Sequence, residues 1–76
     1  MTPEEKRREL LHETILTLQD ARDTAEYNRD VWMAVSEHAE DTDKAAEYEN
    51  EAAKWARQHV VYVDVLHAFG ALSKAL

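Results

Sequence analysis

From residue 45 to its end the sequence reads AAEYENEAAKWARQHVVYVDVLHAFGALSKAL (residues 45–76). Aromatic, aliphatic and small residues recur in this stretch in alternating steps of three and four: Ala45, Tyr48, Ala52, Trp55, His59, Tyr62, Leu66, Phe69, Ser73 and Leu76. This heptad-like spacing is typical of a helix that packs along one side. It predicts a long second helix over about residues 43–75. The helix is expected to continue past Gly70, since one helical glycine costs only about 1 kcal/mol.

Residues 60–65 have a competing interpretation as a β-strand, because β-branched and aromatic residues favour extended backbone. A single strand would have no pairing partner in an otherwise helical chain, and unpaired sheet edges do not persist. The helical interpretation of this segment is therefore preferred.

The first helix is predicted over about residues 3–40. Thr2 is a suitable N-cap, Pro3 suits the first helical position, and Glu5 can complete a capping box. A stripe follows at helical spacing: Leu10, Leu11, Thr14, Leu18, Ala21, Ala25, Asn28, Trp32, Val35 and Ala39. Residues 41–43 (Asp-Thr-Asp) suit a turn that caps the next helix. A split of the first helix near Asp20 or Asn28 would instead give a three-helix bundle.

The composition of these 76 residues indicates a single all-α domain and excludes several kinds of site. The chain has no cysteine, which excludes disulfide scaffolds, cysteine-ligated zinc and thiol nucleophiles. Its single glycine excludes a glycine-rich phosphate loop. We therefore predict no cofactor and no catalytic residue. The charged N-terminal sequence lacks a targeting signal and no segment is long and apolar enough to span a membrane, so we expect a cytoplasmic protein without membrane contact.

Two long helices joined by a short turn must run antiparallel, as a helical hairpin. The apolar residues of the second helix cover more of its circumference than one neighbouring helix can bury. A homodimer that forms a four-helix bundle would supply the missing partner. The predicted dimer or partner interface consists of Trp55, Tyr62, Val65, Leu66, Phe69 and Leu72.

Negative charge is concentrated at the predicted hairpin tip. The net charge is −7, and residues 37–51 contain Lys44 as their only cation. The predicted acidic docking patch consists of Glu37, Glu40, Asp41, Asp43 and Glu47. It suits a basic protein partner, whereas the alternative is a solvated tip that favours solubility. The charge opposes direct nucleic-acid binding, although an acidic mimic of nucleic acid that inhibits a DNA-binding protein is a further alternative.

His59 lies inside the predicted seam of the second helix, so its imidazole needs a hydrogen-bond partner. If the chain reverses near residue 42, Asn28 falls within about one turn of His59. We therefore predict a buried polar pair between Asn28 and His59 that fixes helix register. The alternative is a pH switch that loosens the bundle when His59 is protonated.

Two carboxylate–histidine pairs at a spacing of three residues, Glu9 with His12 and Asp64 with His67, resemble half of a di-iron carboxylate site. This spacing is common in acidic helical sequences, and these residues lie off the apolar stripes. They are interpreted as surface residues, with a metal-binding bundle as the alternative. The predicted function is a non-enzymatic protein interaction module, a small homodimeric regulator or adaptor whose partner is a basic protein or one with an apolar groove.

Overall fold

A computed structural model describes residues 2–75 as two antiparallel helices, α1 (Pro3–Glu37) and α2 (Thr42–Ala75). No strand occurs among residues 2–75, so the predicted all-α helical hairpin is confirmed. Helix α1 continues without a break through Asp20 and Asn28, so the three-helix alternative is wrong. Residues 60–65 are helical, and α2 continues past Gly70 as predicted. Leu76, the last residue of the predicted second-helix row, lies outside the described residues.

Helix α1 begins as the sequence indicates. The Thr2 side-chain oxygen accepts a hydrogen bond from the Glu5 backbone N–H at 3.2 Å, and Pro3 occupies the first helical position, where a missing N–H costs nothing. Glu4 and Glu5 place negative charge at the positive end of the helix dipole.

The link between the helices begins earlier than predicted, because α1 ends at Glu37 and not near residue 40. The Asp41 carboxylate accepts a hydrogen bond from the Asp43 N–H at 2.9 Å, and the Asp41 carbonyl accepts one from the Ala45 N–H at 2.9 Å. Asp41 is therefore the N-cap of α2, a position with non-helical backbone. The chain has to leave the helical conformation of α1 before it reaches Asp41, which shortens α1.

The two helices meet along one seam. On α2 the seam is the predicted row, which is buried or half-buried from Ala45 to Phe69, whereas Ser73 is exposed. The Trp32 and Tyr48 rings pack across the seam with their centroids 5.6 Å apart. On α1 the seam residues also alternate steps of four and three: Leu11, Ile15, Leu18, Arg22, Ala25, Arg29, Trp32 and Ser36. Ala39, in the link after α1, is half-buried as well.

The predicted stripe of α1 is partly wrong. Leu10 and Val35 are exposed at 53% and 39%, whereas Arg22 and Arg29 are half-buried in the seam. Arginine stems can cover an apolar surface while the guanidinium remains at the rim. Here the Arg22 guanidinium lies 3.0 Å from the neighbouring Asp23 carboxylate, and that of Arg29 lies 3.0 Å from the Asp30 carboxylate.

Candidate protein interaction surface

The hairpin has two broad faces, one on each side of the seam, and they differ in charge along α1. Arg22 from α1 lines a shallow groove with Val63, His67, Gly70 and Lys74 from α2. The His59 imidazole also meets Glu26 at the seam. We call this side the charged face; its outward positions on α1 include Glu9, Asp23, Glu26 and Asp30.

The opposite side, which we call the neutral face, lacks charge over most of its length. On α1 it contains Leu10, Thr14, Thr17, Ala21, Thr24, Asn28, Val31 and Val35, again at steps of four and three, and on α2 it contains Gln58, Val61, Val65, Ala68 and Leu72. One third of the whole chain is charged (33%), so an α1 row without a charged side chain from Leu10 to Val35 is a strong departure from the average. A groove along this face is lined by Lys54, Arg57, Gln58, Val61 and Tyr62.

The threonines make the neutral face more apolar than a count of polar residues suggests. The Thr14 hydroxyl donates to the Leu10 carbonyl at 2.8 Å, and the Thr17 hydroxyl donates to the Glu13 carbonyl at 3.0 Å. A hydroxyl bonded to its own helix needs no further partner, so these side chains can offer their methyl groups to a neighbour. On α2 the same face exposes Val61 and Leu72, at 57% and 50%.

The predicted interface residues divide between the seam and the neutral face. Trp55, Tyr62, Leu66 and Phe69 are half-buried in the α2 seam row, where they pack within the hairpin. Val65 and Leu72 lie on the neutral face. The Trp55 indole Nε1 is buried without a hydrogen-bond partner among residues 2–75, and the Lys54 Nζ lies 5.3 Å from the Trp55 ring centroid.

His59 has a carboxylate beside it. Its Nε2 lies 3.8 Å from a Glu26 carboxylate oxygen, and the His59 side chain is 23% exposed. No hydrogen bond joins His59 to Asn28 in the described part of the chain. Glu26 and Asn28 are two residues apart on α1 and therefore point to opposite flanks of the seam. The flank that meets His59 is the one that carries Glu26, so Asn28 belongs to the neutral face.

The acidic tip is open to solvent. Its predicted docking residues are all exposed: Glu37, Glu40, Asp41, Asp43 and Glu47. Within residues 2–75 none of these carboxylates forms an ion pair. The only side-chain hydrogen bond among them is the capping bond that the Asp41 carboxylate accepts.

The alternative metal-ligand residues do not converge. Glu9, His12, Asp64 and His67 are all exposed, and residues 2–75 contain no group of three or more His, Asp or Glu side chains placed to hold a metal ion.

Comparison with protein-family models, curated proteins and solved structures found no match for this chain. Neither helix, over the residues described, has a segment both long and apolar enough to cross a membrane.

Proposed function

We propose that this chain is a non-catalytic protein interaction module that self-associates through its neutral face into a four-helix bundle. The observation that carries the proposal is the neutral face itself, which has no charged side chain on α1 from Leu10 to Val35. Burial of an uncharged surface between two chains releases water without the cost of desolvating charges. Exposed charged residues keep a protein soluble, and the neutral face contributes none of them when it is left in water.

The dimensions of the hairpin support a second packing layer. Its accessible surface is 5821 Å², whereas a compact protein of 8.8 kDa exposes about 4,800 Å². Its radius of gyration is 17.4 Å, against about 11 Å for a compact domain of this length. The excess surface of about 1,000 Å² is close to the 800 Å² or so that each partner buries in a standard interface.

The core of a single hairpin is thin. Only the small residues Ala25, Ala52 and Ser36 are buried among residues 2–75, and no large side chain in that range is fully buried. The large seam residues, such as Trp55 and Phe69, are half-buried, with one helix against them. A second hairpin on the neutral face would cover the side of the seam that α1 and α2 leave open, as in four-helix bundles.

In this proposal the acidic tip is the outward contact of a small regulator or adaptor. Its unpaired, exposed carboxylates create a negative potential that would steer a basic protein partner. A cytoplasmic location stays a prediction from the sequence.

Val60 and Val61 provide a matched test of the proposed interface. Both side chains are 57% exposed, so an aspartate at either position costs the isolated hairpin little. Val61 lies on the neutral face, whereas Val60 is turned about 100° from it towards the charged face, although both side chains border one outer depression of α2. We expect Val61→Asp to be monomeric and Val60→Asp to remain dimeric in light scattering after size exclusion, at concentrations where the unmodified chain is a dimer.

Circular dichroism of both variants keeps the result interpretable, because a monomer that has lost its helices would not report on the interface. Loss of the dimer in Val60→Asp but not in Val61→Asp would place the interface elsewhere. A monomeric unmodified chain at every concentration would refute self-association.

A further inference from the structure

We infer that the two hairpins of the dimer lie in opposite directions, with their acidic tips at opposite ends of the bundle and a twofold axis near Val65. The inference rests on the proposed dimer through the neutral face and adds its orientation and register. A second copy of this chain is therefore the occupant of the neutral face.

Charge favours the opposed orientation. Residues 37–51 hold Glu37, Glu40, Asp41, Asp43, Glu47, Glu49 and Glu51 against the single cation Lys44. Hairpins in the same direction would bring two such tips side by side. Hairpins in opposite directions separate the tips by several times the Debye length of about 8 Å at physiological salt, beyond which exposed charges hardly interact.

The other end of the hairpin has little net charge. In the first turns of α1, Lys6, Arg7 and Arg8 are balanced by Glu4, Glu5 and Glu9, and the last turn of α2 contains Lys74. In the opposed arrangement the first turns of α1 cover Val31 and Val35 of the partner copy. Lys6 and Arg7 then approach the base of the partner copy's acidic tip, so each tip lies beside an end of nearly zero net charge and not beside a second acidic tip.

The position of the axis follows from where the uncharged rows lie. On α2 the row is uncharged from Gln58 to Leu72, with Val65 at its centre, and towards the tip it meets the Lys54–Glu51 ion pair. The facing part of α1 extends from Leu10 to Asn28, with its centre near Gln19. These two centres lie at one height along the hairpin.

The seam gives that height directly. Glu26 and His59 lie side by side, and seven residues farther from the tip on each helix are Gln19 and Leu66. A twofold axis at this height places each uncharged row against the same row of the partner copy, in the antiparallel direction. Gln58 then faces Leu72 of the partner copy and Leu10 faces Asn28 of the partner copy, with Val65 at the axis. This register overlaps about 27 Å of uncharged surface on α1 and about 21 Å on α2, at 1.5 Å per residue.

Spin labels on one row of α2 test the orientation. The chain contains no cysteine, so single substitutions Asn50→Cys, Asp64→Cys and Ala71→Cys each give one label per chain. All three residues are exposed and occupy the same side of α2, away from the neutral face, so lateral separation is the same for each pair. Double electron–electron resonance on each labelled dimer measures the distance between the two copies.

In the opposed arrangement the axial separation grows by about 3 Å for each residue away from the axis, twice the helical rise. We expect axial separations of about 45 Å for Asn50→Cys, about 3 Å for Asp64→Cys and about 18 Å for Ala71→Cys. A minimum at Asp64→Cys supports the inference.

The other outcomes are separable. Equal distances at the three positions mean hairpins in the same direction, which overturns the orientation but keeps the dimer. A minimum at Asn50→Cys means overlapping tips and overturns the proposed axis. Absence of dipolar coupling together with a monomeric mass in light scattering refutes the proposed self-association itself.

Discussion

Replacing Gly70 by alanine is expected to stabilise the protein by about 1 kcal/mol. Gly70 lies within α2 without a positive φ angle, and a Cβ atom built on it meets no heavy atom within 4 Å. The change therefore gains the difference in helix propensity, about 0.8–1.0 kcal/mol, without a steric cost. In a domain of this size 1 kcal/mol raises the melting temperature by about 4–8 °C.

Thermal unfolding followed by far-ultraviolet circular dichroism measures this shift. The chain concentration has to be the same for all variants, since the melting temperature of a dimer depends on it. The neighbouring Ala71→Gly is the matched control, because Ala71 is exposed on the same helical turn. It should lower the melting temperature by about as much as Gly70→Ala raises it.

The result also bears on the interface, because Gly70 lines the groove on the charged face. If Gly70→Ala dissociates the dimer while Ala71→Gly only lowers its melting temperature, another chain must pack closely against Gly70. That outcome would refute the neutral face as the dimer interface.

Two further predictions concern the hairpin itself. Asp41→Ala removes the carboxylate that accepts the Asp43 N–H and should lower the free energy of unfolding by about 1 kcal/mol in urea titrations; equal losses in the control Asp43→Ala would contradict a specific cap. Trp32→Leu and Tyr48→Leu, combined in a double-mutant cycle, should give a coupling energy of about 0.5–1.5 kcal/mol for rings 5.6 Å apart. Additive losses would show that the contact contributes only through buried area.

The sequence predicts α2 well because four of its seam residues are the aromatic Tyr48, Trp55, Tyr62 and Phe69, and its Asp, Glu, Lys and Arg residues lie elsewhere. The same reasoning places Leu10 and Val35 in the α1 seam, although Ile15 and Arg22 belong there. Hydrophobicity alone assigns arginine to the surface, while in the folded chain the stem of Arg22 is inside and its guanidinium reaches Asp23. Whether an arginine lies in the seam depends on helix packing, which a linear pattern does not contain.

The neutral face leaves a signal in the sequence that a search for hydrophobic residues misses. Its α1 row includes Thr14, Thr17 and Thr24, which count as polar, so the row is visible only as an absence of charge at steps of four and three. That Thr14 and Thr17 bond their own helix is known only from the structure. Packing between α1 and α2 is likewise enough to explain the large side chains of Trp55 and Phe69, so their size does not indicate the proposed dimer contact.

The short link that Asp41 caps also sets an order for folding. Contacts beside it, such as Trp32 with Tyr48, close small loops, whereas contacts between the first turns of α1 and the last turns of α2 close loops of nearly the whole chain. Closing a longer loop costs more entropy. The two helices are therefore expected to pair first beside the acidic tip and last at their termini. The segments that pair last contain Leu10 and Leu72, which lie on the neutral face. A second chain bound there would therefore stabilise the part of the hairpin that forms last.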